Sequence, residues 1–246
     1  MSWLDLRRAT PARIALGRSG TALPTAAQLD FQLAHARARD AVHATLDVGR
    51  IVADLRGLGL EALPLRSQAA ERATYLRRPD LGQKLSEASR QTLTKPGHDD
   101  KKQGCDVVFV VADGLSATAV NAHAVALITG MLPRLTGLKL GPVAVVEGGR
   151  VAIGDEIGGR IGADLAAVLI GERPGLSAAD SLGVYVTWQP APGAVDAARN
   201  CLSNIRAEGM PVPEAAEALL RLMENARRHR MTGIALSRQL AELPAS

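Results

Sequence analysis

Aromatic side chains are nearly missing from this chain of 246 residues, which has only two each of Trp, Tyr and Phe. A surface that stacks nucleic-acid bases on aromatic rings is therefore not expected, and any core must be built from Ala, Val, Leu and Ile. Cysteine is as scarce. Cys105 and Cys201 lie far apart and in no CxxC pair, which speaks against a disulfide framework or a zinc knuckle and for a reducing compartment. The histidines (His35, His43, His98, His123 and His229) show no HxxxH or HExxH spacing, so no metal site is expected from this chain alone. Long apolar runs are missing from the first twenty residues, which Asp5, Arg7, Arg8, Arg13 and Arg18 interrupt, so neither a secretion signal nor a membrane span is expected there. The common nucleotide signatures are lacking too. Gly154-Asp155-Glu156-Ile157-Gly158-Gly159 is not GxGxxG, and no Gly-Lys-Ser/Thr occurs, which disfavours a nicotinamide or ATP enzyme.

What is present is a 47% hydrophobic chain, long enough for one large domain or two smaller ones. Its charge is uneven. Residues 1–102 carry 17 Lys and Arg against 11 Asp and Glu, whereas residues 103–246 carry 12 against 14. Of the 29 basic residues 24 are Arg, a bias that suits bidentate contacts to carboxylates or phosphates and that genomic base composition explains equally well.

Residues 1–23, broken by Pro11, Gly17 and Gly20, read as an extended arm. A helix is expected from about 25 to 45, with Ala26, Leu29, Leu33 and Ala36 on one apolar stripe, a second over Asp47 to Arg56, and a third over Ser67 to Arg77, stopped by Pro79. The polar stretch Thr94 to Gly104 reads as an exposed connection. We expect two parts: residues 1–103, mainly helical with the arm, and residues 104–246, an α/β domain. The run Val107 to Ala112 suits a parallel strand buried on both faces. Ser116 caps a helix at about 117–130, and Val143–Val146, Leu165–Ile170 and Val184–Val186 supply further strands. The expected architecture is a Rossmann-like, doubly wound, mainly parallel sheet, closed by a helix near Pro213 with Ala215, Leu219, Leu222 and Ala226 on one face.

Ligands of such sheets bind outside the carboxyl ends of the strands. The segments to inspect are thus Asp113-Gly114-Leu115-Ser116, Glu147-Gly148-Gly149-Arg150-Val151 and Gly171-Glu172-Arg173-Pro174-Gly175. Their glycines suit either a tight turn or the close approach of a ligand. Glu172 can accept hydrogen bonds from a ligand or pair with Arg173. Cys201, read as preceding or opening a helix, can touch a ligand or simply fill space. A hydrolytic reading would need Ser116 with Asp113 and His123, but Ser116 lacks a GxSxG elbow and serves better as a helix cap.

Four segments resemble one known family, the small subunits of ethanolamine ammonia-lyase. These are Leu4-Asp5-Leu6-Arg7-Arg8-Ala9-Thr10-Pro11-Ala12-Arg13-Ile14, Val111-Ala112-Asp113-Gly114-Leu115-Ser116, Gly171-Glu172-Arg173-Pro174-Gly175-Leu176 and Arg199-Asn200-Cys201-Leu202-Ser203-Asn204-Ile205. The resemblance spans nearly the whole chain. It implies a subunit that helps hold adenosylcobalamin, with its cobalt carried inside the cofactor, at an interface with a large barrel subunit. There ethanolamine is converted to acetaldehyde and ammonia by radical chemistry. The implied cofactor-binding positions are Val151, Glu172 and Cys201, with no catalytic residue on this chain. The family's partner is the large subunit, which mainly binds the ethanolamine and on which the N-terminal arm and helical region are expected to dock; nucleic acid and membrane are not expected partners. The chain lacks an Asp-x-His-x-x-Gly sequence, so the cofactor is expected to keep its own base. A cytoplasmic location is expected. A bacterial microcompartment, packaging into which accompanies an N-terminal extension in longer members, is the alternative location. The alternative is a corrinoid-binding module or scaffold without lyase activity.

Overall fold

In the computed structural model, residues 3–10, 12–93 and 104–242 are described. The expected boundary segment, residues 94–103, lies outside them. The central strand β2 (Cys105–Ala112) is flanked by β3 (Val143–Glu147) and β4 (Ala163–Gly171), and both pairings are parallel. Its apolar run is uninterrupted because both faces are covered. Val107, Phe109 and Val111 face one core cluster, and Val108, Val110 and Ala112 face another.

The first cluster is closed by α3 (Val48–Gly57), α6 (Ala117–Met131) and α8 (Val212–His229), with Leu236 of α9 (Ile234–Ala241) at its margin. Local chemistry starts these helices where the sequence suggests. The Asp47 carboxylate accepts from the Arg50 amide, and the Ser116 hydroxyl accepts from the Ala119 amide at 3.3 Å. The second cluster is closed by α7 (Ile153–Ile161), through Ile153 and Ile157, and by Leu93 at the end of α5 (Glu87–Leu93).

The protein is thus α/β, with helices on both faces of one six-stranded sheet in the order β1-β3-β2-β4-β5-β6. The sheet is mixed. Strands β1 (Ala62–Arg66), β3, β2 and β4 run parallel, whereas β5 (Leu182–Trp188) is antiparallel to β4, and β6 (Arg199–Ile205) is antiparallel to β5. Val184–Val186 is a strand as expected, but a hairpin brings it back antiparallel beside β4, so the sheet is mixed.

Two strands were not foreseen, and both lie at sheet edges. Strand β1 contains Pro64, which the sheet accepts because an edge strand has one side free of ladder bonds. It lies before the expected boundary, so the sheet draws on both sides of it. Strand β6 is a polar, half-exposed run, and its outer edge needs no apolar face; Cys201 therefore sits in a strand, not before a helix. The third expected helix is shorter, α4 (Arg72–Arg77), because the Ser67 amide instead continues the β1 pairing to the Glu147 carbonyl. The arm holds one short helix, α1 (Trp3–Arg8). Helix α2 (Thr25–His43) forms as expected but turns its stripe outward: only Ala34 and Ala41 are buried, and Leu29, Phe31 and Leu33 are exposed.

Strand β6 is tied to α7 beneath the sheet by a buried ion pair. The Arg199 guanidinium contacts the Asp155 carboxylate, both side chains 3% exposed, and also donates to Asp196 and to the Ala194 carbonyl. Burial holds the Asp155 carboxyl above its ordinary range against the pull of Arg199. Arg199→Met strands that carboxylate and should lower unfolding free energy by about 3–5 kcal/mol in denaturant titration. Adding Asp155→Leu should recover most of the loss; a double variant as unstable as the single one would show that the pair is not the source.

Candidate functional site

Because β1 to β4 run parallel, their carboxyl ends share one edge of the sheet, and the loops after β2, β3 and β4 meet there. Antiparallel β5 begins at this edge and β6 ends at it, as the pairings Gly171↔Leu182 and Leu182↔Ile205 require. Two glycines bring the loops together. A Cβ on Gly114, whose φ is +56°, would lie 2.2 Å from the Gly171 carbonyl oxygen, and one on Gly171 would lie 2.0 Å from that of Ser116. These glycines serve contact between loops rather than the approach of a ligand, and the Leu115 amide bonds the Gly171 carbonyl at 2.9 Å.

Asp113, at the end of β2, joins the next loop. Its carboxylate accepts from the Gly149 amide at 3.0 Å and faces Arg72 at 3.4 Å. Burial pushes its pKa up to about 6, although Arg72 and the glycine amides pull the other way. Arg72 also donates to the carbonyls of Val42 and Gly114. Its guanidinium lies 4.7 Å from the Tyr75 ring centroid, and that of Arg150 lies 4.2 Å from the same ring. The buried Tyr75 hydroxyl donates to the Gly149 carbonyl, and burial keeps it protonated.

Beside this stack opens a hollow of about 410 Å³, lined by Tyr75, Leu115, Arg150, Val151, Glu172 and Tyr185 among others. Val151 and Glu172 both line it. Cys201 does not line the hollow itself but is paired across the sheet with Tyr185, which does. The Tyr185 hydroxyl and the Cys201 thiol interact; burial pushes the first up to about 12 and also raises the second, so both are neutral at pH 7.

Glu172 does not depend on Arg173. Its carboxylate accepts hydrogen bonds from the hydroxyls of Ser181 and Ser203 and, at 3.1 Å, from the Asn204 amide. A bulge in β6 aims Ser203 and Asn204: the register shifts between the pairs of Leu182 and Val184, and Asn204 has a φ of +59°, a conformation that Asn tolerates better than most residues. Sequence reasoning missed Ser181, Ser203, Tyr75, Arg72 and Tyr185. Arg72 and Tyr75 lie on the short helix α4, Tyr185 lies inside β5 with Ser181 just before it, and only Ser203 stands in a segment that resembles the family.

The hydrolytic arrangement is not assembled. The Ser116 hydroxyl is buried and donates to the Ala179 carbonyl at 2.8 Å, while His123 faces Asp180 at 3.8 Å. Among the described residues, no three His, Cys, Asp or Glu side chains gather as a metal site requires, and no helix is long and apolar enough to cross a membrane.

Comparison with known proteins adds a second line of argument. The profile of the family described as ethanolamine ammonia-lyase light chain (EutC) matches residues 1–237. The chain is 52% identical over 242 residues to a protein of Bradyrhizobium diazoefficiens named ethanolamine ammonia-lyase small subunit, covering 97% of this chain and 91% of that one. Proteins of the same name from Pseudomonas syringae pv. tomato (53% over 241 residues, 95% and 82% covered) and Azotobacter vinelandii (52% over 236 residues, 95% and 87% covered) are similarly close.

Asp113 yields a pH prediction. Its folded pKa of about 6 lies above the ordinary 3.8, so between these values the folded chain holds a proton that the unfolded chain has released. Its contribution to stability is full below about pH 4 and is lost as pH rises through 6. The stability of the native chain relative to Asp113→Asn should therefore grow as pH falls from about 7 to 4, by roughly 2–3 kcal/mol. Urea titrations across that range check this, and a pH-independent difference contradicts it.

Proposed function

Because the chain belongs to the ethanolamine ammonia-lyase light-chain family, we propose that it is the small subunit of such a lyase. In this reading it helps hold adenosylcobalamin against a large catalytic subunit that converts ethanolamine to acetaldehyde and ammonia. The observation that carries the reading is the strand-end hollow in which Val151 and Glu172 meet, with Cys201 beside its Tyr185 wall. We read the core as a Rossmann-like, doubly wound arrangement widened by the antiparallel pair β5–β6.

The residues present suit a corrin, a broad and largely apolar plate rimmed by amides. Val151 offers an apolar contact. The Glu172 carboxylate has three donors from the protein and further lone-pair capacity for an amide N–H of the ligand. Cys201, kept neutral, gives a soft contact at the margin. Adenosylcobalamin supplies the homolysis of its cobalt–carbon bond and the radical that follows. This chain's part is to orient and enclose: Glu172 fixes an amide edge, and Tyr75, Leu115 and Tyr185 exclude water from one side. No acid or base role falls to it.

The name "small subunit" borne by its relatives implies a larger companion. The outward stripe of α2 is the surface we assign to it, since Leu29 and Leu33 are 58% and 50% exposed, and Trp3 in the arm is 69% exposed. A cytoplasmic complex follows from the reading.

Co-expression with the large subunit of a relative should give acetaldehyde from ethanolamine only when adenosylcobalamin is added. A complex that binds the cofactor but yields no acetaldehyde would favour a corrinoid scaffold instead. Glu172→Ala should weaken cofactor binding about tenfold, the scale of one hydrogen bond to a charged group, with Glu172→Gln between the two. Equilibrium dialysis of the complex reads this, and unchanged binding in both variants removes Glu172 from the site. Deletion of residues 1–20 should lower affinity for the large subunit at least about tenfold in sedimentation, given the scale of anchor residues at interfaces; unchanged association rules out the arm.

A further inference from the structure

Arg150 differs from the other arginines that the fold covers. Among the described residues Arg72, Arg90, Arg160, Arg199, Arg206 and Arg227, all buried or half-buried, each form an ion pair with a carboxylate. Arg150 is half-buried and forms none with a described residue, and its Nε is buried without a hydrogen-bond partner among them. An unpaired guanidinium in that setting is expensive unless something outside the described contacts meets it.

Its position is fixed by the fold. The Arg150 amide donates to the Gly82 carbonyl at 2.8 Å, and its own carbonyl accepts from the Ile153 amide at the start of α7. The stem crosses Gly82, where a Cβ would lie 2.8 Å from its Cγ, and the guanidinium lies over the Tyr75 ring. Tyr75 is itself anchored to Gly149, so the cation is held at the wall of the hollow before any ligand arrives. Glu172, the carboxylate of the same hollow, is occupied by Ser181, Ser203 and Asn204 and does not reach it.

We propose that Arg150 is an anion-binding residue of this site and that its ligand is a phosphodiester, which a planar guanidinium engages through paired N–H donors. The proposal rests on the cobalamin reading above, for cobalamin carries one phosphodiester, in the loop that links its base to the corrin ring. Arg150 thereby selects a complete cobalamin over a corrinoid that lacks the loop. Glu172 and Arg150 divide the recognition: the carboxylate takes an amide N–H and the guanidinium takes the anion, at separate parts of the hollow.

Equilibrium dialysis of the complex with its large subunit tests this, using adenosylcobalamin, adenosylcobinamide phosphate and adenosylcobinamide, which has no phosphate. The native complex should prefer the phosphate-bearing ligands. Arg150→Met should weaken them about tenfold or more, leave adenosylcobinamide unchanged and flatten the salt dependence of binding, while Arg150→Lys retains part of the preference. Equal losses for all three ligands overturn the proposal, because Arg150 would then only shape the hollow. Weaker association with the large subunit at unchanged corrinoid affinity overturns it in favour of a carboxylate on that subunit. If the native complex binds none of the three, the cobalamin reading itself falls; if it binds all three alike, only the phosphodiester assignment does.

Discussion

The central strand of the sheet ends in a carboxylate withdrawn from water. Asp113 cannot be exposed where it stands, between the loops after β2 and β3, and burial raises its pKa to about 6. The surrounding chain compensates with the Gly149 amide and with Arg72, which reaches across from α4. Much of the site follows from that compensation. Arg72 stacks on Tyr75, Tyr75 supports Arg150, and Gly149 receives a hydrogen bond on its carbonyl while its amide serves Asp113. One buried acidic group thus places an aromatic ring and two guanidiniums at the strand ends. It does so in a chain with very few aromatic residues.

The opposite side of the hollow is organised by neutral donors. Glu172 stays on the rim of the sheet because two serines and a bulged amide bind it, without a cation that would compete for its charge. That choice leaves the carboxylate available as an acceptor while fixing its direction. The side on which a ligand would rest is consequently split into an acidic part, an apolar part around Val151 and Leu115, and a basic part around Arg150.

The buried layers were legible in the sequence, and the edges were not. Val107 to Ala112, Ser116 as a cap and the stripe of Ala215, Leu219 and Ala226 are written in hydrophobic pattern and capping chemistry, since burial on both faces or along one stripe forces that pattern. Strands β1 and β6 escaped because an edge strand tolerates Pro64 and polar residues. The direction of β5 escaped because apolar alternation does not say which way a strand runs. Glu172 and Val151 were legible as residues that follow buried strands. Their supporting groups were not, because Arg72, Tyr75, Ser181 and Ser203 reach the site through tertiary contact alone. The stripe of α2 was legible as a stripe but not as to what covers it, since periodicity records an apolar face but not whether that face meets this chain or another.

The hairpin between β5 and β6 has a separate consequence. Since β5 runs away from the strand-end edge, its link to β6, residues 189–198, turns at the far end of the sheet. Pro190 is held there against Gly158, and Arg199 fastens the return, but Ala191, Pro192 and Gly193 are exposed, and Gly193 has open space around it. Residues gained or lost at that tip are absorbed between two fixed posts and do not propagate along β6. Homologous chains can therefore drift in length between Glu172 and Cys201 while Glu172 keeps its place in the hollow and Cys201 its place beside Tyr185.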